Sequence, residues 1–410
     1  MIGRFALILT VLLVSCLSCV AQTAALNPQK TETFRLEPDE TKEFSIRLRK
    51  NGFANIEWLA AHDALIAIEL VDSQGSVLER VSTDDWNSDA LYFVAPFEGT
   101  YLLRIKLKRS ETSIHPQSIS VEYSDRFVRP SAARLKESRV INGYQVRILA
   151  TKDDNYVLFE KGSVLKRVMR ASGGADYIGF SFPDKLVPKM TPKARAQAML
   201  LRDTPDKTGD GVPDVMVEYF SGGAHCCFQE YFINLGETAD VVDHINTAHS
   251  GMGPLAKNPS GGLVFETSDN SWAYWPQGFA TSPFPSVVLV FKRNKLTPDF
   301  ARMKKPPPSL AVLRQMAFKA RNQIGLAPYY GDDSDQPSPL FNDYAKDLSG
   351  PFYSVMLDLI YSGNEGIAWQ FFDLVWPLEK KGKDIFRRDF QKKLSESIYS
   401  TRSVPRPTTL

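Results

Sequence analysis

Cysteine is nearly absent from the body of this chain. Of the four in 410 residues, Cys16 and Cys19 fall within the first twenty positions, and the other two, Cys226 and Cys227, are adjacent. A disulfide framework needs separated cysteines, so an exported chain of this size must stabilise itself by burial, with bound metal as the remaining staple. An excess of one charge is missing as well: 49 Lys and Arg face 47 Asp and Glu, for a formal net charge of +2. Nucleic-acid binders carry a basic excess, so that class is disfavoured. The apolar runs beyond the N-terminus, such as Val287 to Phe291, have a strand's length and cannot span a bilayer. Also lacking are a nucleophile elbow, an HExxH string, a phosphate loop and a Ser-His-Asp order, which leaves the corresponding enzyme classes without support.

The first residues read as an export signal, expected over 1–25. Arg4 makes a positive start, and Phe5 to Val14 is almost uninterrupted apolar sequence too short to cross a membrane. Two endings compete. Leu13-Val14-Ser15-Cys16 fits the lipoprotein pattern, in which Cys16 is lipidated and becomes the new N-terminus. Ordinary cleavage after Cys19-Val20-Ala21 or Thr23-Ala24-Ala25 is the alternative. One acyl chain anchors a protein only marginally, so a firm anchor at Cys16 needs the several chains of a bacterial lipoprotein. The expected location is extracytoplasmic: periplasm or outer membrane if lipidated, secreted if not.

Residues 30–125 alternate in short segments: 43–48, 54–59, 66–71, 77–81, 91–95, 101–107 and 119–123 read as strands, with turn chemistry at Asp72-Ser73-Gln74-Gly75 and Phe97-Glu98-Gly99-Thr100. Seven strands in this length predict a β-sandwich. The run Ile66 to Gly75, followed by Phe93 to Ile105 with its Gly99-Thr100-Tyr101, resembles the bacterial pre-peptidase C-terminal domain. That resemblance implies an accessory module and no catalysis. Residues 126–137 read as a polar connector, and a β-rich region is expected over 138–303. Its clearer strands are 144–150, 156–160, 164–169, 196–201, 215–220, 226–233 and 287–291. From Pro306 the spacing becomes helical, giving a helical C-terminal subdomain over 306–402. One stripe starts at Leu310, Leu313 and Met316 with Gly325 as its cap. Further helices cover 351–361 and 367–376, and Phe386, Phe390, Leu394 and Ile398 form a last one-faced helix.

Chemistry concentrates in Asp206-Lys207-Thr208-Gly209-Asp210-Gly211-Val212-Pro213-Asp214. Oxygen-bearing residues fall at positions 1, 3, 5 and 9, and glycines flank the middle one. Calcium takes six to eight oxygens, and the glycines let a short backbone turn round it. Position 12 is Val217 and the flanks read as strands, which excludes an EF-hand. The string resembles the calcium loop of FG-GAP and VCBS repeats, which precedes a propeller-blade strand. That resemblance implies side-chain oxygen from Asp206, Thr208, Asp210 and Asp214, the Val212 carbonyl, and water. Thr208 departs from the pattern by replacing a carboxylate or amide, which should weaken the site. An acidic turn held by Asp-to-backbone bonds is the competing reading. A metal-free echo runs from Gly262 to Trp275. The fold expected is therefore mainly β with a helical C-terminal subdomain: a β-sandwich plus a propeller-blade-like region. Gly331 to Asp335 is acidic without metal-ligand spacing.

Gly222-Gly223-Ala224-His225-Cys226-Cys227 follows the loop and is similar to a motif seen after such loops in exported bacterial proteins of unassigned role. Adjacent residues on a strand point to opposite faces, so His225 cannot serve Cys226 as a base; His244 or His249 could. A metal site with those histidines, a strained vicinal disulfide and plain packing stay open. Trp272, Tyr274, Trp275 and Phe279 serve either core packing or a sugar- or peptide-binding surface. The function expected is a calcium-stabilised envelope protein that binds or scaffolds, with an unidentified envelope protein or glycan as ligand. The rival is a thiol-dependent envelope hydrolase or redox protein using Cys226 or Cys227.

Overall fold

Strict alternation in the first hundred residues folds into two sheets, each with one buried face. A computed structural model describes residues 23–61, 64–82, 90–109, 115–172, 177–223, 228–275, 279–322, 351–397 and 399. Residues 1–22, Ala224 to Cys227, Gly325 and 331–335 therefore lie outside the described residues. The chain divides into two compact units near residue 126, with residues 92–96 counted in the second.

The sandwich strands are β1 (Ala24–Ala25), β2 (Thr31–Leu36), β3 (Thr41–Leu48), β4 (Phe53–Leu59), β5 (Ile66–Val71), β6 (Val77–Ser82), β7 (Ala90–Val94, its last three residues counted in the second unit), β8 (Gly99–Leu107) and β9 (Gln117–Ser124). They make a five-stranded sheet, β1-β3-β8-β5-β6, and a four-stranded one, β2-β9-β4-β7. Every second residue of β8 (Tyr101, Leu103, Ile105, Leu107) is fully buried, as are Ile119 and Val121 on β9. Phe34 of one sheet meets Phe44 of the other at 5.3 Å between ring centroids. Two sheets joined through their apolar faces form the sandwich that the period-2 pattern implies.

The second unit repeats one motif three times. β10 (Arg134–Ile141), β11 (Tyr144–Ala150), β12 (Asp154–Lys161) and β13 (Val164–Ser172) form the first sheet. β14 (Tyr177–Phe180), β15 (Asp214–Phe220), β16 (Phe228–Leu235) and β17 (Ala239–Ala248) form the second. β18 (Gly253–Lys257), β19 (Leu263–Ser268), β20 (Ser286–Lys292) and β21 (Lys295–Pro298) form the third. Each sheet is an antiparallel meander in chain order, the shape of a propeller blade, and the described residues contain no closed ring of them. Between the first two sheets lies one core, with Val146, Phe159, Phe180, Val217 and Tyr219. A larger core takes the other face of the second sheet, through Met216 and Phe232, and continues through the third sheet into the helices. Those helices are α1 (Pro192–Arg202), α2 (Phe300–Met303), α3 (Leu310–Arg321), α4 (Pro351–Tyr361), α5 (Glu365–Val375) and α6 (Lys383–Glu396). On α6, Phe386, Phe390 and Leu394 are fully buried, the one-faced packing their spacing predicts. Among the described residues no helix is long and apolar enough to cross a membrane.

Three sequence expectations are corrected, the first being the cap of α3, which ends at Arg321 with Asn322 as its C-cap and not Gly325. Residues 196–201 are not a strand but the second half of α1. Thr191 caps that helix by accepting from the Ala194 amide at 3.3 Å, Pro192 opens it, and three alanines carry it. Residues 134–137 are not connector but the start of edge strand β10, which hides its alternation by exposing Leu135 and Val140 while the charged Glu137 and Arg139 are partly buried. Its hairpin with β11 turns at Asn142 and Gly143, both at positive φ (50° and 75°), the pair a tight hairpin turn favours.

Candidate metal centre

The acidic string forms the descent from α1 into β15. Asp214 opens that strand and is fully buried, while Asp206 is half-buried and Asp210 exposed. The Thr208 hydroxyl stands 3.0 Å from Asp214 Oδ2 and 3.4 Å from Asp206 Oδ1, so these three side chains converge. Asp210 turns aside: its Oδ1 accepts from the Val212 amide at 2.9 Å and its Oδ2 from the Asn234 side-chain amide at 3.0 Å. Asp206 accepts the amides of Gly209 at 2.6 Å and Gly211 at 2.8 Å. Asp214 Oδ2 also takes the amides of Lys207 at 2.8 Å and Thr208 at 3.0 Å.

One carboxylate oxygen is left over. Asp214 Oδ1 is buried without a hydrogen-bond partner. Burial pushes the Asp214 carboxyl up to about 6, against the pull of the amides and hydroxyl on its other oxygen. An orphaned buried acceptor is the mark of a site that expects a donor or a cation. Among the described residues no group of three or more His, Cys, Asp and Glu side chains gathers as a metal cluster, and Asp210 faces Asn234.

Sequence reasoning passed over three parts of this centre. Lys207, at position 2, is buried, and its ammonium donates to the carbonyls of Thr204 (3.1 Å), Pro205 (3.2 Å) and Asp214 (2.7 Å). Burial brings its pKa down to about 8, partly opposed by Asp214 and Asp206. Asn234 stands opposite Asp214 in the β15–β16 register. Gly261 and Gly262, in the β18–β19 turn, press on the loop from the next sheet. The Leu263 amide donates to Lys207 O at 2.9 Å, and a Cβ on Gly262 would meet that oxygen at 2.7 Å. Only the glycine pair carried a signal, since it begins the echo.

The echo's own aspartate has a different use. Asp269 Oδ1 accepts the Ser271 amide at 2.9 Å, and its Oδ2 accepts the hydroxyls of Tyr361 and Ser397. Trp272 Nε1 donates to Tyr361 Oη at 3.2 Å. Trp272 is fully buried and Trp275 packs on it at 5.5 Å, whereas Tyr274 is 49% exposed at φ 60°. The tryptophans of the aromatic group thus build core. His244 is exposed and stacks on Tyr231 at 5.4 Å, and His249 is exposed against the Phe279 ring edge at 4.8 Å. Cys226 and Cys227 lie outside the described residues, so no cysteine–histidine geometry bears on them.

No family model matches the chain, and no curated protein does. Solved structures match parts of it. The pre-peptidase C-terminal domain of collagenase from Bacillus anthracis is 12% identical, with a TM-score of 0.22, over 25% of this chain and 95% of that one. Periplasmic inhibitors of g-type lysozyme from Aeromonas hydrophila and Salmonella Typhimurium are 10% and 13% identical. Each has a TM-score of 0.19 over 25% of this chain and 98% of its own. Likeness at these scores bears on neither activity nor partner.

Proposed function

We propose that this chain is an exported bacterial envelope protein that binds or scaffolds and performs no catalysis, its second unit fastened by one calcium ion at Asp206–Asp214. The leader sequence supports export, with a lipid on Cys16 as the membrane anchor and an envelope protein or glycan as the ligand. The buried Asp214 Oδ1 without a partner carries the calcium reading. An oxygen that accepts one hydrogen bond keeps a lone pair, so Asp206 stays available beside Thr208 and the Val212 carbonyl, while Asp210 would have to leave Asn234 to join them. The loop joins α1 to β15 and is clamped by the β18–β19 turn. When bound, calcium would neutralise carboxylates that otherwise repel each other at the seam between two sheets. Lys207 supplies one resident positive charge against three carboxylates, which should make the site weaker than a fully acidic loop.

Titration calorimetry of the full chain, extracted from cells and partitioned with detergent, tests the proposal. Calcium should give a saturable heat near one equivalent, lost in Asp214→Asn, and magnesium should give little because it demands a tight octahedron. The wild-type chain should enter the detergent phase and Cys16→Ser should not. Absence of calcium heat in the wild type removes the calcium reading, and equal partition of the two chains removes the anchor.

A further inference from the structure

Strand β15 carries a second acidic residue past the loop, and it meets another across the sheet. Glu218 stands directly opposite Glu230 of β16, on the face that holds Met216 and Phe232. Glu230 is fully buried and Glu218 half-buried. Like charges at such a cross-strand position repel, and burial multiplies the cost.

Among the described residues the neighbours do not supply a counter-charge. On the β14 side, Ser181 donates its hydroxyl to Glu230 Oε2 at 3.0 Å, and Gly179 stands in register with Glu218. The Tyr177 phenol donates to the Phe180 carbonyl at 3.3 Å and lies within the electrostatic reach of both glutamates and of Glu137 and Arg139 of β10. Arg139 is held by Glu137 at 2.8 Å and Asp184 at 2.9 Å. From β17 the partner of Glu230 is Ile245, and from the following turn the Met252 amide donates to Glu230. Glu230 Oε1 meets no ordinary donor. Two carboxyls that touch can hydrogen-bond only with a proton between them.

We propose that Glu218 and Glu230 are joined through their carboxyl protons and act as a pH-sensitive latch on the β15–β16 hairpin. The latch is closed while the carboxyls are protonated and loosens as they ionise. Burial raises both groups, Glu218 up to about 7 and Glu230 well above the ordinary range. A raised folded-state value means protons are taken up on folding. The latch's stabilisation is therefore complete below about 4.5, the unfolded value, and is lost as pH rises through about 7.

The test is urea denaturation of the full chain at pH 5.5 and 8.5 with calcium held constant, for wild type, Glu230→Gln and Glu218→Gln. The wild-type unfolding constant should rise at least tenfold between the two pH values. Both variants should show a flatter profile and exceed wild type in stability at pH 8.5. Amide exchange of the wild type, corrected for intrinsic rates, should quicken across 214–220 and 228–235 at the higher pH. Infrared spectra near pH 6.5 should show a protonated-carboxyl band that either substitution removes. Variants with the wild-type slope overturn the latch. If neither variant folds, unchanged exchange or a missing carboxyl band in the wild type overturns it.

Discussion

Gly262 sits at φ +74° with the backbone of Lys207, Thr208 and Gly209 less than 3.0 Å from where its Cβ would be. A side chain there meets two penalties at once, a left-handed backbone and a collision with atoms that cannot rotate away. Gly75 has a similar φ of +84° but open space around it. Gly262→Ala should therefore lose about 3 kcal/mol, from strain plus overpacking, and Gly75→Ala only about 1 kcal/mol. Urea denaturation of the two variants measures the difference, and equal losses would mean the loop and turn do not press together. At this scale the sequence was readable where spacing is local. Asp206 to Asp214 declares its turn by its glycines. The aim of Asp210 at Asn234, 24 positions on, and the meeting of Glu218 with Glu230 depend on hairpin register, which no local spacing encodes. A charged residue in the middle of each of two apolar strands was the available sign of that pair.

Secondary elements were legible where a pattern had one face and hidden where it had none. The strands of the sandwich and the stripe on α6 alternate or repeat cleanly, so burial and sequence agree. β10 is an edge strand that exposes Leu135 and Val140 and partly buries Glu137 and Arg139, and α1 is a short helix whose alanines favour no face strongly, so neither shows its element in the pattern. Joining elements is the work of polar contacts that periodicity cannot announce. Tyr361, ending α4, donates to Asp269 beyond β19 and bonds Ser397 Oγ, at the end of α6, at 3.2 Å. Asp269 is a buried carboxylate satisfied by hydroxyls and an amide, so removing one donor leaves charge under-solvated. Tyr361→Phe should cost about 2–3 kcal/mol, the range for hydrogen bonds to charged groups. Ser397→Ala on the same background should add less than it does alone, because the two hydroxyls serve one oxygen. Additive losses in a double-mutant cycle would show that α4 and α6 are fastened independently.

Over the whole chain, the mainly β class with C-terminal helices follows from the change of period at Pro306, yet the stacking of three four-stranded meanders does not. Their order depends on which sheet faces pair, and those faces are apolar on both sides of the second sheet. Calcium would act at this scale, because the loop lies between that sheet and the β18–β19 turn. An ion that binds only the folded chain adds about 2.7 kcal/mol at a hundredfold excess over its dissociation constant. For a unit of this size that corresponds to roughly 5–10 °C in the melting temperature. Four of the six tryptophans, Trp272, Trp275, Trp369 and Trp376, belong to the larger core of the second unit, so fluorescence reports its melting. Chelation should lower the fluorescence melting temperature of the wild type by that amount and restored calcium should return it. Asp214→Asn should melt at one temperature with or without chelator, because the oxygen left unpartnered is the one the ion would use. A wild-type transition that ignores chelation at low ionic strength would leave Asp206–Asp214 as an acidic turn, closed by its own amides and by the Lys207 ammonium.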